Sequence, residues 1–172
     1  MSLVVLIGGA RSGKSALALR LAERATGPVV FVATGEARDD EMADRIERHR
    51  QERPPAWSTV EEPVELERAL AALPGDSTAV VDCLSLWVSN LIEFESAPHI
   101  EAASAAAAQI AAGRTALTIA VTNEVGLGIV PDNALARSYR DVLGRVNAMW
   151  VDVADKAYFV VAGRSIELET LT

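Results

Sequence analysis

Eight consecutive residues near the start of the chain carry the first chemical signal. Gly8, Gly9, Ala10, Arg11, Ser12, Gly13, Lys14 and Ser15 fit the G-x-x-x-x-G-K-[ST] pattern. Cradling a phosphate in this way needs backbone N–H groups turned inward, which glycine permits, and a helix N-terminus aimed at negative charge. Lys14 is then placed to reach the β- and γ-phosphates of a nucleoside triphosphate, and the Ser15 hydroxyl to bind Mg2+. Asp82 ends an apolar run and is the natural carboxylate for the same Mg2+ shell, its plainer reading being an ordinary strand-end aspartate. His49 sits among Arg45, Arg48, Arg50 and Arg53. Neighbouring cations favour the neutral form of an imidazole, and the arginines could hold phosphates. A neutral imidazole beside a triphosphate can attack the α-phosphorus and expel pyrophosphate, leaving a nucleotidyl-histidine. On spacing alone, a solvated helix histidine is the simpler reading. His99, beside Pro98 and ahead of an alanine-rich stretch, reads as a surface residue.

The phosphate loop by itself does not choose a reaction. A guanine-reading N-K-x-D motif is missing, and Thr122-Asn123-Glu124-Val125 does not replace it. No D-x-x-G switch follows Asp82, which continues Cys83-Leu84-Ser85. A kinase or nucleotidyl transferase therefore fits better than a signalling switch.

The elements that must position these residues alternate between short β-branched runs and helical stretches. Strands are expected at 3–7, 29–33, 78–81, 117–121, 158–161 and 165–168. Helices are expected at 14–25, 38–53, 63–73, 84–94, 100–112 and 133–154. The helix at 38–53 begins acidic (Asp39, Asp40, Glu41), ends basic and is stopped by Pro54-Pro55, as the helix dipole and proline geometry favour. A βα alternation of this kind implies the α/β class: a P-loop NTPase-type three-layer sandwich, its sheet mostly parallel. The last two strands, joined through Gly163-Arg164, make a terminal hairpin and so an antiparallel edge strand.

Composition sets the outer limits. The chain has 172 residues, half of them hydrophobic (50%), which suits one domain, 1–172, with a core that needs no staples. A net charge of -8 argues against a nucleic-acid binder, while leaving room for a small anion held by a local basic patch. A lone cysteine, Cys83, excludes an internal disulfide and fits a reducing cytoplasm. The opening MSLVVLIGG is too short in its apolar run for a signal peptide, and no stretch is apolar enough to span a bilayer.

Four stretches carry a family likeness: GGARSGKS (8–15), ATGEARDDEMADRIERHR (33–50), RPPAWSTVEEP (53–63) and TNEVGLGIVPDNALARSYRDVLGRVN (122–147). Through them the chain resembles the bifunctional adenosylcobinamide kinase / adenosylcobinamide-phosphate guanylyltransferase family of cobalamin biosynthesis. The likeness runs from the first strand to the Ala162-Gly163 turn, and 122–147 is far more specific than the phosphate loop. It implies two reactions. ATP or GTP first phosphorylates the aminopropanol hydroxyl of adenosylcobinamide. GTP then gives GMP to a histidine, and the cobinamide phosphate takes it to form adenosylcobinamide-GDP. His49 matches the guanylylated histidine; relatives often carry two adjacent histidines where this chain has Arg48-His49.

The resemblance places nucleotide contacts on 8–15, on Ala33, Thr34 and Gly35, on Arg50, Gln51, Glu52 and Arg53, and on Glu61. Asp82 matches the family's strand-end acid, with a shorter reach than a glutamate. Glu124, Gly126 and Gly128 either line the cobinamide site or pack against the phosphate loop. The resemblance also implies a homotrimer, for which Trp87 and Trp150 would serve at an interface or equally in the core. Two other readings stay open: a guanylyltransferase without useful kinase activity, and a P-loop regulatory module acting through partners.

Overall fold

Apolar, β-branched runs build the centre of the sheet. In the computed structural model, which describes residues 2–51 and 53–170 and only the backbone of Arg45, these runs are β1 (Leu3–Gly8), β2 (Val29–Ala33), β4 (Thr78–Asp82) and β5 (Thr118–Asn123). Flanking them are β3 (Ser58–Glu61), β6 (Lys156–Val161) and β7 (Arg164–Glu167). All seven form one sheet in the order β3-β2-β4-β5-β1-β6-β7. Every pairing is parallel except β6 with β7, the hairpin at the edge.

Side chains alternate across a strand, so β1 feeds two cores at once. Leu3, Val5 and Ile7 join a core with residues of α3 (Leu66–Ala72), α4 (Leu84–Leu91), α5 (Ala97–Gly113) and α6 (Ala134–Asp152). Val4 and Leu6 face the other way, against Ala18 and Ala22 of α1 (Lys14–Glu23). These are the three layers expected of a doubly covered parallel sheet.

The structure departs from the sequence expectation in several places. β3 was not expected: its four residues are largely exposed at a sheet edge, and Ser58-Thr59-Val60-Glu61 lacks the apolar run of the inner strands. The charged helix α2 is shorter than 38–53, spanning Asp40–Gln51, because Asp39 caps it through the Met42 N–H at 2.7 Å. Trp87 and Trp150 are core residues, 1% and 0% exposed, and contribute nothing to an outer surface. Their indole N–H groups are satisfied inside, by the Val64 carbonyl at 2.7 Å and the Ser104 hydroxyl at 3.1 Å.

Candidate active site

The phosphate loop leaves the C-terminal end of β1 and turns into α1, so the first-turn N–H groups of that helix face whatever the loop holds. Two glycines are required by geometry. A Cβ on Gly8 would lie 2.1 Å from the Val160 carbonyl oxygen of β6, and Gly13 adopts φ 101°, the left-handed region. The loop is propped from outside by the β6–β7 turn, where the Gly163 N–H donates to the Ser12 carbonyl at 2.8 Å. Lys14 is buried, its ammonium donating to the Gly9 carbonyl at 2.7 Å and lying 3.4 Å from the Ser12 hydroxyl. Its charge therefore lies across the mouth of the loop. Ala10 and Arg11 are exposed at its tip, Arg11 with φ 57°.

Asp82 is where the other elements converge. It ends β4, and burial pushes its carboxyl above the usual carboxylate range. Four groups pull the other way: the Ser15 hydroxyl as a hydrogen-bonding neighbour, then the charges of His49, Arg53 and Lys14. The residue as a whole keeps partial solvent contact. Ser15 and Asp82 together offer two hard oxygen donors. No cluster of three or more His, Cys, Asp or Glu side chains suited to a metal occurs among the described residues. That donor set fits Mg2+, which keeps waters and substrate phosphates in its shell, and not a metal needing an all-protein cage. Cys83, next in the chain, is buried with its thiol pushed up to about 11, chiefly by burial and then by Asp82, and so stays protonated.

Helix α2 and strand β3 bring in the cationic wall. Arg50 pairs with Glu61 of β3, and with Glu47 one turn back at 3.7 Å. Arg53, past the helix end, stacks 3.6 Å from the centroid of the Phe31 ring on β2, and its Nη1 donates to the Thr59 hydroxyl at 3.2 Å. Burial pushes the Arg53 guanidinium down, Asp82 opposes that, and Arg50 adds to it. His49 is half-buried on the same turn, within electrostatic reach of Asp82. The positions expected to contact nucleotide thus divide. Lys14, Ser15, His49, Arg53 and Asp82 share one neighbourhood, and Arg50 and Glu61 meet beside it. Gln51 points back along its own helix to Glu47 at 3.0 Å. Glu52 lies outside the described residues. Ala33 and Gly35 are partly accessible at the end of β2, whereas Thr34 is fully buried. Gly35 lets α2 and α4 close in, a Cβ there lying 3.3 Å from Leu86 and 3.5 Å from Ile46.

Phe31 and Thr59 escaped the sequence reading. Each sits on a strand and looks like ordinary sheet filling until Arg53 is seen against it. The stretch 122–147 also acquires a physical meaning. The Thr122 hydroxyl donates to the Asn147 Oδ1 at 2.6 Å, and the Asn147 Nδ2 donates to the Asn123 carbonyl at 3.0 Å. Helix α6 thereby fixes the exit of β5, and the next N–H, that of Glu124, donates to the Gly8 carbonyl at 3.0 Å. The Glu124 carboxylate accepts from the Gly126 N–H, which closes the loop back on itself.

A strand–glycine loop–helix cradle at the carboxyl edge of a parallel sheet, with a lysine across it and a serine and an aspartate beneath, defines a P-loop nucleotide-binding protein. Comparison with known proteins narrows the class. The family model for cobinamide kinase / cobinamide phosphate guanyltransferase matches residues 4–168. A bifunctional adenosylcobalamin biosynthesis protein of Pseudomonas aeruginosa is 37% identical over 166 residues, covering 96% of each chain. Proteins of the same description from Escherichia coli and Salmonella typhimurium are 36% and 37% identical, covering 97% of this chain and 99% of theirs. The chain belongs to the cobinamide kinase / cobinamide phosphate guanyltransferase family.

Proposed function

We propose that one site, carried by a single domain, performs both reactions of the family: phosphorylation of adenosylcobinamide by ATP or GTP, then transfer of GMP from GTP through His49 to give adenosylcobinamide-GDP. The observation that carries this reading is the convergence on Asp82 of Ser15 and Lys14 from the phosphate loop with His49 and Arg53 from the end of α2. Phosphoryl transfer asks mainly for positioning and charge. The loop N–H groups and Lys14 hold the β- and γ-phosphates, and the hydroxyl oxygen of the aminopropanol arm attacks the γ-phosphorus. The bond from that phosphorus to the bridging oxygen breaks, and ADP or GDP leaves while the hydroxyl proton passes to solvent. Ser15 and Asp82 would hold Mg2+, which supplies charge neutralisation on the phosphate oxygens.

For the second reaction the triphosphate lies with its α-phosphorus against the imidazole. A ring nitrogen of His49 attacks, the P–O bond to pyrophosphate breaks, and a P–N bond forms. Arg53 and Arg50 are read as balancing the charge that builds on the α-phosphoryl oxygens, Arg50 exchanging its pairing with Glu61 and Glu47 for the phosphate. A phosphate oxygen of the cobinamide phosphate then attacks the same phosphorus and releases the imidazole. Glu124, Gly126 and Gly128 are read as facing the corrinoid from the exit of β5. The working unit is read as a homotrimer. Its contacts would come from the exposed loop residues Leu127, Ile129 and Val130, since both tryptophans are core.

Intact-mass analysis after incubation with GTP and Mg2+ tests the covalent step. One GMP per chain is expected, stable to base and released by mild acid, mapping to the peptide that holds His49. His49→Ala should lose labelling and guanylyl transfer yet keep most of its kinase rate, because direct attack of an alcohol on the γ-phosphorus needs no histidine. Label on His99, or full labelling of His49→Ala, would remove His49 from the mechanism.

A further inference from the structure

Beside the backbone of Asp82 and Cys83 lies Thr34. We propose that Thr34 is a positioning residue for the metal-binding carboxylate, acting through its clamp on the Asp82–Cys83 peptide, and not a direct contact of the nucleotide. The proposal rests on the reading of Asp82 as a Mg2+ ligand.

Thr34 follows β2 and is 0% exposed. Its hydroxyl donates to the Cys83 carbonyl at 2.7 Å and accepts from the Cys83 N–H at 2.8 Å. Its own N–H donates to the Asp82 carbonyl at 3.3 Å. Both polar groups of the peptide that follows Asp82 are therefore held by one residue, 49 positions away in the chain. The remaining polar group of Thr34, its carbonyl, accepts from the Asn90 Nδ2 at 2.7 Å, which also donates to the Pro63 carbonyl at 3.0 Å. Every polar group of Thr34 thus has a partner within the protein, and both of its donors, the hydroxyl and the N–H, are taken.

The clamp acts at the place where a strand must become a helix. Asp82 is the last residue of β4, in register with Ala33 of β2 and Val121 of β5, and α4 begins at Leu84, so the sheet pairing ends at the peptide that Thr34 holds. The Thr34 hydroxyl holds the Cys83 side of that peptide just past the last sheet pairing, and the direction of the Asp82 side chain follows from its plane. A carboxylate that shares a cation with only one protein hydroxyl depends strongly on its aim. The hydroxyl, not the volume of Thr34, is the working part, which separates this role from packing.

The test uses the full chain and Mn2+ as the probe. Mn2+ binding is followed by electron paramagnetic resonance in the presence of GDP, and GDP binding is measured separately in metal-free buffer. Thr34→Val keeps the shape and removes the hydroxyl; it should weaken Mn2+ by roughly 10-fold or more, in the range found for partners that orient metal ligands. Thr34→Ser keeps the hydroxyl and should bind Mn2+ within about 2-fold of wild type. Metal-free GDP affinity should be unchanged in both. Thr34→Ala carries the same expectation as the valine variant and replaces it should the valine variant fail to fold by circular dichroism. Wild-type Mn2+ affinity in the hydroxyl-free variant, or loss of metal-free GDP affinity with Mn2+ binding retained, overturns the proposal. Asp82→Asn in the same titration separates the two layers. If it weakens Mn2+ while the Thr34 variants do not, only the clamp fails; if it binds Mn2+ normally, the reading of Asp82 fails and the clamp with it.

Discussion

Lys14 and Asp82 are charged groups of opposite sign in one neighbourhood, and their effects are separable. Lys14 is buried but hydrogen-bonded to its own loop, so its ammonium is anchored before any phosphate arrives. Lys14→Ala should lower both transfer rates by about 10²–10³-fold, the scale of losing one donor aimed at developing charge. Far-ultraviolet circular dichroism should stay unchanged; near-normal rates in a folded variant would take the loop out of the chemistry. Asp82 behaves differently because its folded carboxyl is raised above the ordinary value, burial outweighing Ser15, His49, Arg53 and Lys14. The native chain then holds this proton more tightly than the unfolded chain does. Stability falls as pH rises from the unfolded value, about 3.9, through the folded one, and the penalty is complete above it. Asp82→Asn should therefore melt above wild type at neutral pH without metal, with the gap closing below about pH 4. Melting curves across pH, without Mg2+, decide this. An equal gap at every pH would mean that the charge is not the cause. The same variant should need far more Mg2+ for activity, so a group kept at a cost to stability would be identified with function.

At the level of elements, the glycine at the end of β1 shows how tightly strand and loop are coupled. A Cβ on Gly8 meets the Val160 carbonyl at 2.1 Å, a backbone atom that cannot rotate away. Gly8→Ala should cost about 1–3 kcal/mol as β1 and β6 are forced apart. Urea unfolding at constant m-value measures it, and a loss below a few tenths of a kcal/mol would show that β6 yields freely. This coupling also explains what was legible beforehand. The phosphate loop, β1, β2, β4 and β5 could be read directly, because inner parallel strands are apolar throughout and the loop chemistry demands fixed residue types. β3 could not, since an exposed edge of four residues has no apolar run, yet through Thr59 and Glu61 it anchors the two arginines of the site. The Thr34 clamp and the Thr122–Asn147 pair were equally hidden. Both join residues far apart in the chain, and no local pattern marks a buried threonine as a partner of a distant peptide. The tryptophans show the limit in the other direction, because nothing in their local sequence separated an interface from a core.

Across the whole molecule, the proposed mechanism has two reactions share one phosphate cradle. The chain has a single G-x-x-x-x-G-K-[ST] stretch, and in the proposed mechanism the groups brought to it serve both the γ- and the α-phosphorus. Arg53, His49 and the strand-end acid all sit at the carboxyl edge of the sheet beside that loop, where open α/β folds bind ligands. If the triphosphate tail is the common handle, ATP and GTP exclude one another whatever base they carry. ATP should then slow GMP labelling of His49 competitively, without labelling the protein itself, because attack by the imidazole requires the nucleoside end to be oriented and not merely bound. The inhibition constant of ATP in the labelling assay should agree, within about 2-fold, with its Kd measured directly on the same enzyme by equilibrium dialysis, as linkage at one shared site requires. Lys14→Ala should weaken both values together, whereas His49→Ala should leave the Kd of ATP close to wild type. Labelling that proceeds at full rate under saturating ATP would mean that GTP reaches His49 from a second nucleotide site, and the one-cradle arrangement would have to be abandoned.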